Sequence, residues 1–324
     1  MSDSRFASTF ASAFGSTPDR PVTISANEAR QIQRANESGR HPVVFVHGLW
    51  LLPSSWQRWA EAFEEAGYVA LTPDWPDDPA TVGEANAHPE VMAQKTVGQV
   101  ADHFAAILGQ LERKPMVVGH SFGGLLAQIL AGRGLSAVTV AIDPAPFRGV
   151  LPLPLSALKS AWPVLGNPAN RNRAVPLTYE QFRYAFANAV SEDEARQLYD
   201  TFAVPAPGAP LFQAAAANIN PWTEAQVDTA NAERGPLLII SGEKDHTVPW
   251  AIANASFKQQ QRNPGLTEIV EMPNRGHALT IDSGWRDVAD TALAFIRRFS
   301  AADVQRRAAM RDSFSVPDRR EAVA

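Results

Sequence analysis

The chain has 324 residues, 45% of them hydrophobic and 19% charged, a composition that suits a folded protein with a large core. Its net charge of −5 gives no electrostatic case for a nucleic acid or a membrane surface, so neither is expected as a partner. With no cysteine, disulfides, thiolate metal sites and a cysteine nucleophile are excluded, and the seven histidines lack metal-ligand spacing such as HExxH, so no metal site is expected.

The first stretch, "MSDSRFASTFASAFGSTPDRP", has its phenylalanines broken by Ser and Thr every two or three residues. No continuous apolar segment forms, so it reads as a loose amphipathic arm and not a signal peptide. No stretch approaches the roughly 18 apolar residues of a membrane span, and a cytoplasmic protein is expected. "SANEARQIQRANESGR" (25–40) reads as helix. "PVVFVHG" (42–48) is a buried strand, "SSWQRWAEAFEEAG" (54–67) an amphipathic helix with a Ser cap and a Gly stop, and "YVALTPDWP" (68–76) a second strand. A polar, proline-containing loop follows, then a long helix over 96–113 capped by Thr96. "PMVVGHS" (115–121) is strand, "FGGLLAQILAGRG" (122–134) helix and "AVTVAID" (137–143) strand. This alternation implies a parallel sheet covered on both faces.

From about Phe147 to Arg234 the pattern is helical, as in "TYEQFRYAFANAVSEDEARQLYDTF" (178–202), with no convincing buried strand. Strand and helix then resume: "GPLLIISGEKD" (235–245), a helix near 249–261, "TEIVEMPNRGH" (267–277) and a last helix over 283–299. The expected division is an arm and helix (1–41), an α/β core (42–146 and 235–299), an inserted helical cap (147–234) and a mixed-charge tail (300–324) that extends the last helix and frays.

Gly119-His120-Ser121-Phe122-Gly123 is G-x-S-x-G, placed between a strand and a helix. Such a turn strains its central residue, and side chains two positions away would collide, hence the glycines. The serine then stands at the carboxyl edge of the sheet, where open α/β sheets bind ligands, with a helix N-terminus aimed at it. A serine needs a base, and a base needs an orienting acid. His277 in "NRGHAL" and Asp245 in "SGEKDHTVP" both follow strand ends on that rim. Asp143 of "AIDPAP" also ends a strand and is the rival acid, though it can instead serve as a turn former before Pro144. His120 reads as packing on the opposite side of the elbow, and His47 as a residue that anchors backbone.

Taken in order, "VVFVHGLW", "GHSFGG", "SGEKDHTVP" and "NRGHAL" resemble an α/β-hydrolase fold enzyme of the serine-nucleophile, esterase- and lipase-like kind with a helical cap. The resemblance implies a mostly parallel, doubly wound sheet with an inserted cap. It implies Ser121 as nucleophile, His277 as general base and Asp245 as acid, with the backbone N–H groups of Leu49 and Phe122 as oxyanion donors. It implies a carboxylic ester of a small-molecule substrate and no cofactor. Lactonases, amidases, C–C bond hydrolases, cofactor-free perhydrolases and hydroxynitrile lyases use similar triads and stand as alternatives, as does a non-catalytic ligand-binding protein of this fold. Trp50, Phe147, Trp162, Phe182 and Trp222 are the candidate pocket residues, with Trp50 placed to narrow the entrance. The family's antiparallel strand pair ahead of the "HG" strand is missing from the pattern, so fewer strands are expected there.

Overall fold

The structure, a computed structural model, describes residues 22–314; the expected N-terminal arm lies outside the described residues up to position 21, as does the last part of the expected tail. Helix α1 (Ala26–Glu37) opens with a capping box, Ser25 Oγ accepting the Glu28 N–H while the Glu28 carboxylate accepts the Ser25 N–H. It stands where an antiparallel pair was missing, and the sheet starts with β1 (Pro42–Val46). Then come α2 (Gln57–Glu65), β2 (Val69–Leu71), α3 (Val82–Ala87), α4 (Val97–Leu108), β3 (Met116–His120), α5 (Phe122–Gly132) and β4 (Val138–Ile142).

The inserted segment holds α6 (Leu155–Leu165), β5 (Ala174–Val175), α7 (Tyr179–Ala185), α8 (Glu192–Phe202), β6 (Ala206–Pro207) and α9 (Ala209–Ala216). The core resumes with β7 (Leu237–Gly242), α10 (Trp250–Gln260), β8 (Thr267–Met272) and α11 (Trp285–Phe314), which continues as helix well past the expected boundary at 300.

Six strands pair in the order β2-β1-β3-β4-β7-β8, all parallel. Buried on both faces, they alternate their apolar residues between two layers. Val44, Val46 and Val117 pack with α1, α4 and α5, while Val43, Phe45 and Val118 meet Trp56 and the apolar sides of α2 and α11. Because every strand runs the same way, every strand's carboxyl end opens on one edge. The chain leaves β1 outward to β2, then crosses back to β3, so a crevice opens between the ends of β1 and β3, the usual ligand site of such a sheet.

Several elements differ from expectation, each for a local reason. β2 stops at Leu71, since Pro73 and Pro76 cannot donate to a ladder. The loop expected before Thr96 contains α3, started by a capping box between Thr81 and Glu84. The helical pattern over 178–202 splits in two, because Ser191 caps a second start by accepting the Glu194 N–H. The segment expected to lack strand holds the antiparallel β5–β6 ribbon, two residues a side. Among the described residues no helix is long and apolar enough to cross a membrane.

Candidate active site

β3 turns into α5 through Ser121, whose backbone sits at φ 58 and ψ −121, a conformation that residues with a Cβ rarely adopt. Four backbone hydrogen bonds hold it there: Ser121 N–H donates to Ile142 O at 2.9 Å, and Ser121 O accepts from Gly124, Leu125 and Ala145. The glycines of the motif are steric requirements. A Cβ on Gly119 would stand 2.0 Å from Gly123 O, and one on Gly123 would stand 2.0 Å from Val46 O. Both obstacles are backbone and cannot swing aside. Gly123→Ala is therefore expected to cost about 3 kcal/mol or more. Thermal unfolding checks this, and a melting temperature within about 2 °C of wild type would contradict the packing.

The register of the sheet brings the other groups to the same edge. Asp245 lies in the loop after β7 and His277 in the loop after β8, tied together by the Lys244 N–H to Arg275 O bond at 2.8 Å. Asp245 Oδ1 accepts the Thr247 and Val248 N–H groups at 2.6 and 2.9 Å. Asp245 Oδ2 is 2.6 Å from His277 Nδ1, and His277 Nε2 is 3.0 Å from Ser121 Oγ. A carboxylate only accepts, so Nδ1 carries the proton and donates, which leaves Nε2 to accept the Ser121 O–H. Burial by itself would raise the Asp245 carboxyl, but the pull of the facing His277 when that ring is protonated, and the hydrogen bonds Asp245 accepts, hold it below the usual range. The group stays ionised where the imidazole needs it.

Asp143, the rival acid, is 3.9 Å from His277 Nδ1, beyond hydrogen-bond reach, and its Oδ1 is taken by the Gly242 N–H at 2.7 Å. His120 does not lie on the opposite side of the elbow: its ring packs 4.7 Å from that of His277. Burial first, and His277 second, push its ring well below the usual histidine range, so it stays neutral. His120, Asp143 and His277 each bring a donor atom within 4.8 Å of the others. Both His277 nitrogens are already engaged, however, so a metal there would have to displace the triad contacts.

The "HG" loop passes directly over Ser121. A Cβ on Gly48 would stand 2.8 Å from both Ser121 Cβ and His120 O, so only glycine allows the approach. Beneath it the buried His47 donates from Nδ1 to Gly48 O at 2.9 Å and holds Nε2 3.2 Å from Asp78, which is itself paired with buried Lys95. The Leu49 and Phe122 N–H groups have no acceptor among the described residues. The latter lies at the positive end of α5, where a developing negative charge is stabilised.

The cap supplies residues that the sequence reading missed. The Phe186 ring meets the His277 ring edge-on at 4.9 Å, stacks on Phe182 at 5.0 Å and meets Trp50 at 6.1 Å. The break between α7 and α8 is fastened to the loops of both Asp245 and His277. Phe186 O accepts the Ala278 N–H at 2.9 Å, Asn188 Nδ2 donates to Lys244 O at 2.7 Å, and Thr247 Oγ donates to Ala185 O at 2.7 Å. Only the "S-x-x-E" cap at Ser191 hinted at a break here, and nothing in the pattern tied it to the rim.

Of the candidate pocket residues, Trp50 is buried in a strained backbone at φ 63, its indole N–H donating to Val175 O at 2.9 Å. Phe147 and Phe182 are core residues, and Phe182 stacks on Phe186, which meets His277. Trp162 and Trp222 are 67% and 83% exposed in the inserted segment. Helical spacing could not distinguish a wall from a surface position, because the cap's inner face is set by its docking on the sheet.

A family profile described as the alpha/beta hydrolase family matches residues 43–291. No curated protein sequence matches the chain. Among solved structures, the monoacylglycerol lipase of Paleococcus ferrophilus is similar at a TM-score of 0.56 and 19% identity, over 80% of this chain and 94% of that one. An extracellular alpha/beta-hydrolase from a Paenibacillus species, described as a structural and functional homologue of tobacco salicylic acid binding protein 2, gives 0.57 and 19% over 78% and 98%. A pyrethroid hydrolase from Sphingobium faniae gives 0.55 and 17% over 79% and 96%. At such identities the likeness is one of fold.

Proposed function

The chain belongs to the alpha/beta hydrolase family, and on that premise we propose that it is a serine hydrolase cleaving a carboxylic ester or lactone of a small to medium apolar molecule. The observation that carries this reading is the hydrogen-bonded chain from Ser121 Oγ through His277 to Asp245, at 3.0 and 2.6 Å. Ser121 Oγ attacks the carbonyl carbon as His277 Nε2 takes its proton, and Asp245 stabilises the imidazolium that forms. The Leu49 and Phe122 N–H groups receive the oxyanion. His277 then protonates the leaving alkoxide, and water, deprotonated by the same nitrogen, releases the acid from Ser121.

The apolar substrate is suggested by what surrounds the triad. His277 is fully buried and Ser121 nearly so; the Phe186 ring packs against His277 and in turn meets Trp50. Aromatic rings beside the base favour hydrocarbon on the acyl or alcohol side. The solved relatives named above as a monoacylglycerol lipase and a pyrethroid hydrolase are consistent with ester chemistry on apolar substrates.

A fluorophosphonate probe tests the nucleophile. Intact-mass and peptide mapping are expected to place one adduct on Ser121, with turnover of p-nitrophenyl esters over a panel of acyl lengths. An unlabelled Ser121 in folded protein would assign the fold here to ligand binding, and turnover confined to amides or β-diketones would move the reaction within the family.

A further inference from the structure

The mechanism above leaves one buried carboxyl unused. Asp143 follows β4 with its backbone at φ 41, completely buried. Its Oδ1 accepts the Gly242 N–H at 2.7 Å. No N–H or O–H among the described residues reaches its Oδ2, which lies 3.9 Å from His277 Nδ1, the nitrogen that Asp245 Oδ2 holds at 2.6 Å, so the two buried carboxyls converge on one atom. Two carboxylates can share a hydrogen bond only if one carries a proton, and two buried negative charges side by side are prohibitive. Their surroundings decide which one keeps the charge. Asp245 accepts two backbone N–H groups and the His277 Nδ1–H, whereas Asp143 accepts a single backbone N–H. The remaining groups around His277 bring no competing charge: His120 from β3 is neutral, and the cap presents the Phe186 ring.

We propose that Asp143 is a protonated carboxylic acid that donates a hydrogen bond to the Asp245 carboxylate, making it a positioning residue that sets how strongly Asp245 acts on His277. The proposal rests on the reading of Asp245 and His277 as the working acid and base. Burial first, and the Asp245 charge second, hold the Asp143 carboxyl well above the usual carboxylate range, in keeping with this arrangement. A donor on Asp245 draws off part of its charge and so limits its stabilisation of the imidazolium. The proton also explains why a second acid can stand beside the triad without repelling the first. Asparagine would reproduce both contacts, its Oδ1 accepting the Gly242 N–H and its Nδ2 donating to Asp245. Leucine has the same branching and neither contact.

The test is a titration of the His277 imidazole by 15N-edited NMR in the full-length protein, the signal assigned with His277→Gln. Asp143→Asn is expected to leave the midpoint where it stands in wild type, and Asp143→Leu to raise it by about one unit, because Asp245 then keeps its full charge. A fall of similar size in Asp143→Asn would mean that wild-type Asp143 carries a charge, and an unmoved midpoint in Asp143→Leu would reduce it to a strand-end cap. Either result overturns the proposal. Should Asp143→Leu fail to fold, the infrared difference spectrum between wild type and Asp143→Asn at neutral pH decides: the band of a protonated carboxyl must disappear in the variant, and no such band overturns the proposal. None of these readouts needs turnover. A protein unlabelled at Ser121 and inert to esters would sink the hydrolase reading while the shared proton could still be present.

Discussion

Ser121→Ala is expected to remove ester turnover, lowering kcat by about 10⁴- to 10⁶-fold, the range seen when a serine hydrolase loses its nucleophile. The residual rate is what the oxyanion donors and binding can give an attacking water. The fold should not notice the change. Ser121 Oγ touches His277 Nε2, and the four bonds that hold its strained backbone are all main-chain. Alanine carries the same Cβ through the same φ of 58, so the strain is neither relieved nor increased. Circular dichroism and thermal melting should therefore match wild type, while fluorophosphonate labelling disappears. If a folded Ser121→Ala enzyme retained a tenth of its activity, the nucleophile would have to lie elsewhere.

Asp245→Asn is expected to lower kcat by about 10⁴-fold, through the tautomer of the imidazole more than through charge alone. An amide that turns its NH2 toward Nδ1 forces the proton onto Nε2, which can then no longer accept from Ser121. Asp143 is badly placed to rescue it, standing 3.9 Å from Nδ1 and tethered by the Gly242 N–H. Asp143→Asn, by contrast, should keep kcat within a few-fold of wild type, since asparagine can still accept the Gly242 N–H and donate to Asp245. Steady-state kinetics on the two variants, both shown to be folded, separate the roles. A collapse in Asp143→Asn with survival of Asp245→Asn would hand the acid to the end of β4.

The polar contacts of Asp245 and Asp143 show where pattern reading succeeds and where it stops. From the sequence, both aspartates end strands of one parallel sheet and either could serve. The deciding facts are distances of 2.6 and 3.9 Å to the same nitrogen, and these come from the twist and register of β4, β7 and β8 together. His120 teaches the same lesson. Its place beside the nucleophile was plain, but its packing against His277 joins residues from strands separated by two others in the sheet.

The sequence by itself determined the alternating parallel core, the strand–turn–helix elbow at Ser121 and the positions of Asp245 and His277 on the loops of one edge. These follow from local physics: buried runs of strand length, amphipathic helices with caps, and glycines where a Cβ would strike backbone. Only the tertiary structure decided which residues of the inserted segment reach His277. Phe186 faces His277, and Asn188 ties the inserted segment to the loop of Asp245, while Trp162 and Trp222 are largely exposed. Helical periodicity records that a helix has an apolar side, but not which partner covers it. The cap contacts cross large sequence separations, and no local pattern in the chain encodes them.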